Sequence, residues 1–164
     1  MNVAGEYLKT VIQRFRESKK TAEKAMEQLV ESELFCSPNE ESNSIAIIIK
    51  HMSGNMISRW TDFFTTDGEK PSRNRDDEFV GDLQTKEQVM ELWELGWETF
   101  LTALKDIREA DLLKTITIRN EPHTVIEAIE RQMYHYSYHV GQIVYLTKML
   151  KSSNWNPLTI PRKK

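Results

Sequence analysis

Cysteine is nearly absent: one residue, Cys36, in a chain of 164. A single thiol cannot build an intramolecular disulfide framework, or a structural zinc site that needs two or more cysteines. Glycine and proline are also scarce, at six and five. That argues against collagen-like, low-complexity and turn-dense all-β chains. No apolar run approaches the ~20 residues needed to span a bilayer, so no membrane association is expected. The opening residues Met1-Asn2-Val3-Ala4-Gly5-Glu6 lack the basic head and apolar stretch of a secretory signal, and Asn2 excludes myristoylation. A cytoplasmic protein is expected. A basic excess is missing too. Lysine and arginine total 22 against 25 acidic residues, for a net charge of −3. Duplex-binding domains usually carry a basic stripe. Here the clearest basic cluster is Arg162-Lys163-Lys164, which reads as a solvated tail, and no nucleic-acid partner is expected.

What is present is 39% apolar and 29% charged. The length fits one domain, residues 1–164, with a tail from about residue 152. Four long segments have helical character. From about Val3 to Ser32, Val11, Ile12, Phe15, Ala22, Ala25, Met26 and Leu29 recur mostly at spacings of three, four and seven, forming one apolar stripe. The second segment opens at Asn43-Ser44, both good N-caps, and runs to about Phe64. Its Ile45-Ala46-Ile47-Ile48-Ile49 run alone could be a buried strand. The apolar pattern continues through Met52, Met56, Ile57, Trp60 and Phe63, so length decides for a helix buried on most sides, with Gly54 its one weak point. The third and fourth segments start at capping boxes, Thr85-Lys86-Glu87-Gln88 and Thr124-Val125-Ile126-Glu127. The fourth runs to about Lys151, where Ser152-Ser153-Asn154 and then Pro157 and Pro161 end it.

Two connections are long. Residues 65–84 hold Arg73-Asn74-Arg75-Asp76-Asp77-Glu78, and a structureless link of that length is either functional or disordered. Arg73 and Arg75 read most simply as solvated and neutralised by the adjacent acids. Between Asp111 and His123, the β-branched run Thr115-Ile116-Thr117-Ile118 is a brief strand or an extended crossover. Four long helices with long connections give an all-α fold, a four-helix bundle that is not simple up-down-up-down.

The histidines carry the chemical signal. His135 and His139 are four apart on a predicted helix and share a face. That is the geometry of a two-histidine metal clip. The zincin pattern needs glutamate directly after the first histidine, and Tyr136 stands there, so a protease with an in-motif base is excluded. Arg131, His135, His139 and Gln142 form one polar stripe at spacings of four, four and three. A buried polar stripe must be paired or metal-bound, because unpaired polar groups are expensive to bury. The second helix supplies His51, followed by Asn55 and Arg59 at i+4 steps. If the second and fourth helices pack together, three imidazoles converge, and three histidine ligands leave a coordination position open. The bland alternatives are a core histidine at His51 and a chance HxxxH. His123 reads as a solvated loop residue, Trp60, Trp93 and Trp97 as core, and Cys36 as an inert thiol.

At these residues the sequence resembles a known family. Ile48-Ile49-Lys50-His51-Met52, followed by His135-x3-His139-x-Gly141-Gln142-Ile143, is similar to the DinB/YfiT-like superfamily of metal-binding four-helix bundles. Asn55-x3-Arg59-Trp60-x-Asp62-Phe63 and the Asp67–Asp76 stretch resemble a poorly characterised Bacillus-type branch of it. The resemblance covers the whole chain. It implies a divalent metal, zinc or nickel, on His51, His135 and His139. It also implies a homodimer, for which apolar aromatics spread over the third helix are a second ground. By the same resemblance, the activity is that of a thiol S-transferase of the bacillithiol type or a hydrolase acting on a small molecule. Gln142, Arg131, Asn55 and Arg59 are then the candidates to orient a ligand or receive its carboxylate, since arginine holds carboxylates bidentately. The alternatives are a non-catalytic metal-binding stress-response bundle and a helical interaction module without metal.

Overall fold

Each long helix begins where a side chain can take an orphan backbone donor. In the computed structural model, which describes residues 2–160, Asn2 caps α1 (Val3–Met26) by accepting from the Gly5 N–H at 2.9 Å. Ser44 caps α3 (Ile45–Trp60) through the Ile47 N–H. Thr85 and Gln88 box the start of α4 (Lys86–Asp106), and Thr124 and Glu127 that of α5 (Val125–Lys151). Both capping boxes stand where the sequence puts them.

The first segment is shorter than its periodicity predicts. The i→i+3 bonds of Gln28 and Leu29 tighten its last turn after Met26, and Val30 is extended. Glu33 then reaches back to the Val30 N–H at 2.8 Å and starts a separate short helix, α2 (Glu31–Leu34). The second segment also stops early. Thr61 is extended and Asp62 has φ 49°, so the chain turns away four residues before Phe64.

α1 packs on α5 and α4, and α3 packs on α4 and α5. Twelve of the 16 residues of α3 are buried, as expected for a helix enclosed on most sides. Trp60, Trp93 and Trp97 are core residues, joined by Phe15, Phe100 and Tyr136. Phe15 meets Phe100 edge-on at 4.5 Å, a favoured aromatic geometry. The aromatics of α4 are thus spent inside the chain's own core, which removes one of the two grounds for expecting a homodimer. Gly96 sets the α3–α4 approach: a Cβ there would lie 2.9 Å from the Ser53 Cα.

The β-branched run is a strand. β1 (Thr115–Ile118) pairs antiparallel with β2 (Glu121–Thr124), turning on Arg119 and Asn120 at φ 56° and 62°. Two positive φ values suit a tight hairpin, but a non-glycine residue adopts them at a cost. Asp67 offsets it by accepting both turn N–H groups, from Arg119 at 2.9 Å and Asn120 at 2.8 Å. His123 lies in β2 and is half-buried, not in a solvated loop. Asp67 belongs to the link between α3 and α4, which touches α3 through Gly68, Lys70 and a short 3-10 turn, Asp77–Phe79. Among the described residues, no helix is long and apolar enough to cross a membrane. The Arg162-Lys163-Lys164 cluster lies outside the described residues.

Candidate metal centre

Packing of α3 on α5 brings His51 to His135 and His139. The Nε2 atoms of His51 and His135 are 3.2 Å apart, and those of His139 and His135 are 3.0 Å apart. One ligand atom from each ring lies within 4.8 Å of the others. Two metal–nitrogen bonds of ~2.0–2.1 Å at a tetrahedral angle would separate their nitrogens by about 3.3 Å. The donor set therefore fits a divalent cation in type, and the two separations to His135 lie close to that spacing.

The outer nitrogens settle the tautomers. His51 Nδ1 is 2.9 Å from Glu78 Oε2, and a carboxylate can only accept, so Nδ1 carries the proton. His139 Nδ1 is 2.7 Å from Gln142 Oε1, while the Gln142 amide nitrogen donates to the Tyr138 hydroxyl at 3.2 Å. Each ring, when neutral, then turns an Nε2 lone pair toward His135 Nε2. A single proton on His135 can bridge only one of them. A cation takes all three. Ligating histidines typically donate the other ring N–H to a carboxylate or carbonyl in this way, which fixes the ring and raises its basicity.

Electrostatics favour the neutral form of His135 and His139. Burial, together with the neighbouring imidazoles and the Arg73 and Arg59 charges, pushes the His135 pKa down to about 3. Burial pushes His139 down to about 4, against the opposing hydrogen bond that its Nδ1–H donates to Gln142. Burial disfavours the Glu78 carboxylate, but the hydrogen bonds from His51 and Arg73 outweigh it and hold Glu78 below its ordinary range.

Glu78 is the residue that local motifs miss, and its surroundings correct the reading of the loop. Arg73 is not solvated. Its side chain is 4% exposed, with Nε 2.7 Å from Glu78 Oε1 and Nη2 2.8 Å from Oε2. Only Asp76 and Asp77 of the adjacent acids are exposed. Gly54 of α3 admits Glu78, because its carboxyl group occupies the space a Cβ would need. Phe79 stacks on the His51 ring at 4.9 Å, and Arg75 lies 5.6 Å above Phe79.

The other candidates divide. Gln142 holds His139 and does not stand free toward a ligand. Asn55 is buried and accepts from the Tyr136 hydroxyl at 3.2 Å. Arg59 is 2% exposed, and two of its nitrogens, Nε and Nη1, have no hydrogen-bond partner among the described residues. Burial depresses its pKa, Arg131 and Arg73 repel it, and only partly does Glu69 compensate. Arg131 is exposed. Asn55, Arg59 and Arg131 line one 360 Å³ cavity together with His51 and His135.

A family model described as a protein of unknown function (DUF1572) matches residues 2–164. No curated protein matches the chain. The chain belongs to the DUF1572 family.

Proposed function

For this member of a family of unknown function, we propose a divalent-metal protein with His51, His135 and His139 as ligands. The observation that carries the reading is the convergence of the three Nε2 atoms while Glu78 and Gln142 hold the outer nitrogens of two rings. Neutral imidazole suits zinc, nickel, copper or iron; the resemblance to DinB/YfiT-like proteins favours zinc or nickel. The long helices and their long connections support a four-helix bundle of that type, with residues 1–164 as one domain. A cytoplasmic setting is part of the same proposal, and a homodimer rests on the resemblance alone.

Three protein ligands with an adjoining cavity support an enzyme acting on a small molecule, a bacillithiol-type S-transferase or a hydrolase. A bound divalent cation would supply Lewis acidity and make a thiol or water ligand easier to deprotonate. The chain's own part is to keep His51 and His139 in the correct tautomer and to present Asn55 and Arg59 beside the open side. A non-catalytic metal-binding bundle shares the same centre and differs only in turnover.

The test is metal content after purification without chelators, beside His51→Ala and His135→Ala. Near-stoichiometric metal in the wild type, lost in both variants that remain helical, is expected. A wild type that neither carries nor takes up metal would overturn the reading.

A further inference from the structure

Five arginines, Arg59, Arg73, Arg75, Arg119 and Arg131, line the same 360 Å³ cavity as His51 and His135. No acidic residue lines it. Glu69 lies behind and is shared by three of them, 3.5 Å from Arg59, 3.1 Å from Arg73 and 3.2 Å from Arg119. Glu78 serves Arg73 and His51. Among the described residues, no carboxylate lies within ion-pair distance of Arg75 or Arg131. Two carboxylates lie within ion-pair distance of the five guanidinium groups, Asp67 adds a third near Arg59, and positive charge remains in excess. Gathering like charges and leaving two nitrogens of the buried Arg59 without partners costs stability. A chain with a net charge of −3 has acids to spare and places none on this wall.

We infer that this cavity seats the oxyanion groups of a small molecule carrying at least two negative charges, carboxylate or phosphate, with its remaining end turned to the three histidines. Arg131 precedes His135 by one turn of α5, and Arg59 follows His51 by two turns of α3. Anion seat and histidine centre are thus two ends of one site. Arginine is suited to the first end, because its planar fork holds carboxylate and phosphate bidentately. The volume suits a small molecule, since ligand pockets run from roughly 300 to 1,000 Å³. The inference rests on the metal reading for the reacting end only, and not for the anion seat.

Titration calorimetry of metal-free protein tests it, in a low-salt buffer without anions. The probes are inorganic phosphate, succinate and the neutral analogue succinamide. Binding of phosphate, succinate or both, without succinamide, is expected, and which anion binds names the substrate's charged group. Arg75→Ala and Arg131→Ala leave no buried charge unpaired and should each weaken binding by about tenfold. Arg16→Ala, on the exposed side of α1, should leave it unchanged. A wild type that takes up metal but binds neither anion overturns this inference and spares the metal reading. Anion binding without metal uptake does the reverse. Affinity unchanged in both arginine variants, or equal for succinamide, also overturns it.

Discussion

The Nδ1 of His51 lies 2.9 Å from Oε2 of Glu78, a residue on a different element that a glycine in His51's own helix admits. Arg73 grips the same carboxylate through both its oxygens. The acid is thereby fixed in place and kept ionised, and it fixes the imidazole in turn. Loss of such an outer partner typically lowers metal affinity by about 10–100-fold. Glu78→Gln should do so in a competitive chelator titration, with helicity unchanged. Gly54→Ala should reach the same result by another route, since its methyl group would displace the Glu78 carboxyl while favouring the helix. Unaltered affinity in both variants would mean that Glu78 neutralises Arg73 and has no part in the metal centre.

Metal should also stabilise the fold, because an unfolded chain does not hold the three imidazoles together. At a free metal concentration about 100-fold above Kd, the stabilisation is about 2.7 kcal/mol. For a chain of this size that corresponds to a rise in Tm of about 5–10 °C. Zinc or nickel added to metal-free protein should give this shift in the wild type and in His123→Ala, which lies in β2 outside the cluster. His139→Ala should show none. An equal shift in His139→Ala would place the stabilising metal elsewhere.

The two ligand helices were legible because their signals are local. The N-cap at Ser44, the capping box at Thr124 and the i, i+4 pair of His135 and His139 need only a few residues of context. The contribution of His51 depends on which helices pack, and the contact of α3 with α5 supplies it. Glu78, Arg73 and Glu69 could not be read this way. They sit in an irregular segment with no period, where a run of alternating charges looks the same whether solvated or folded inward. The length of that segment was its only signal. The break after Met26 was hidden for a related reason. The apolar period runs on through Leu29, and the reversal depends on Glu33 reaching back to Val30. The hairpin turn likewise lacks its usual glycine, and its stabilising partner, Asp67, lies far away in sequence.

Two glycines in different surroundings should respond oppositely to alanine. Gly141, next to the histidine pair, leaves open space where a Cβ would stand, with nothing beyond its own stretch of helix within 4 Å. Alanine there should stabilise α5 by about 0.5–1 kcal/mol through helix propensity alone and leave metal affinity intact. At Gly96 the Cβ would meet the Ser53 backbone at 2.9 Å. The helices would have to part, disturbing the 2.7 Å bond from the Ser53 hydroxyl to the Leu92 carbonyl, and overpacking of this kind costs about 1–3 kcal/mol. Urea denaturation of both variants checks the pair. A destabilised Gly141→Ala would point to a partner surface on that side of α5.

Acid should weaken the turn that leads into the hairpin. Lys114 pairs with Asp111 at 2.8 Å, and Asp111 also accepts from the Arg108 N–H at 2.9 Å and its Nε at 3.2 Å. The Lys114 ammonium first, and then the Arg108 donors, hold the Asp111 carboxyl far below its ordinary range. With the folded pKa depressed, the unfolded chain binds the proton more readily. The contribution of Asp111 is therefore fully present above its unfolded pKa of about 3.9 and fades as pH falls below it. Asp111→Asn should lower the urea midpoint by a constant amount from neutrality down to about pH 5. The gap between variant and wild type should then narrow as pH drops toward 3. A gap of equal size at pH 3 and pH 7 would show that Asp111 acts through shape and hydrogen bonding, which asparagine fails to copy, and not through its charge.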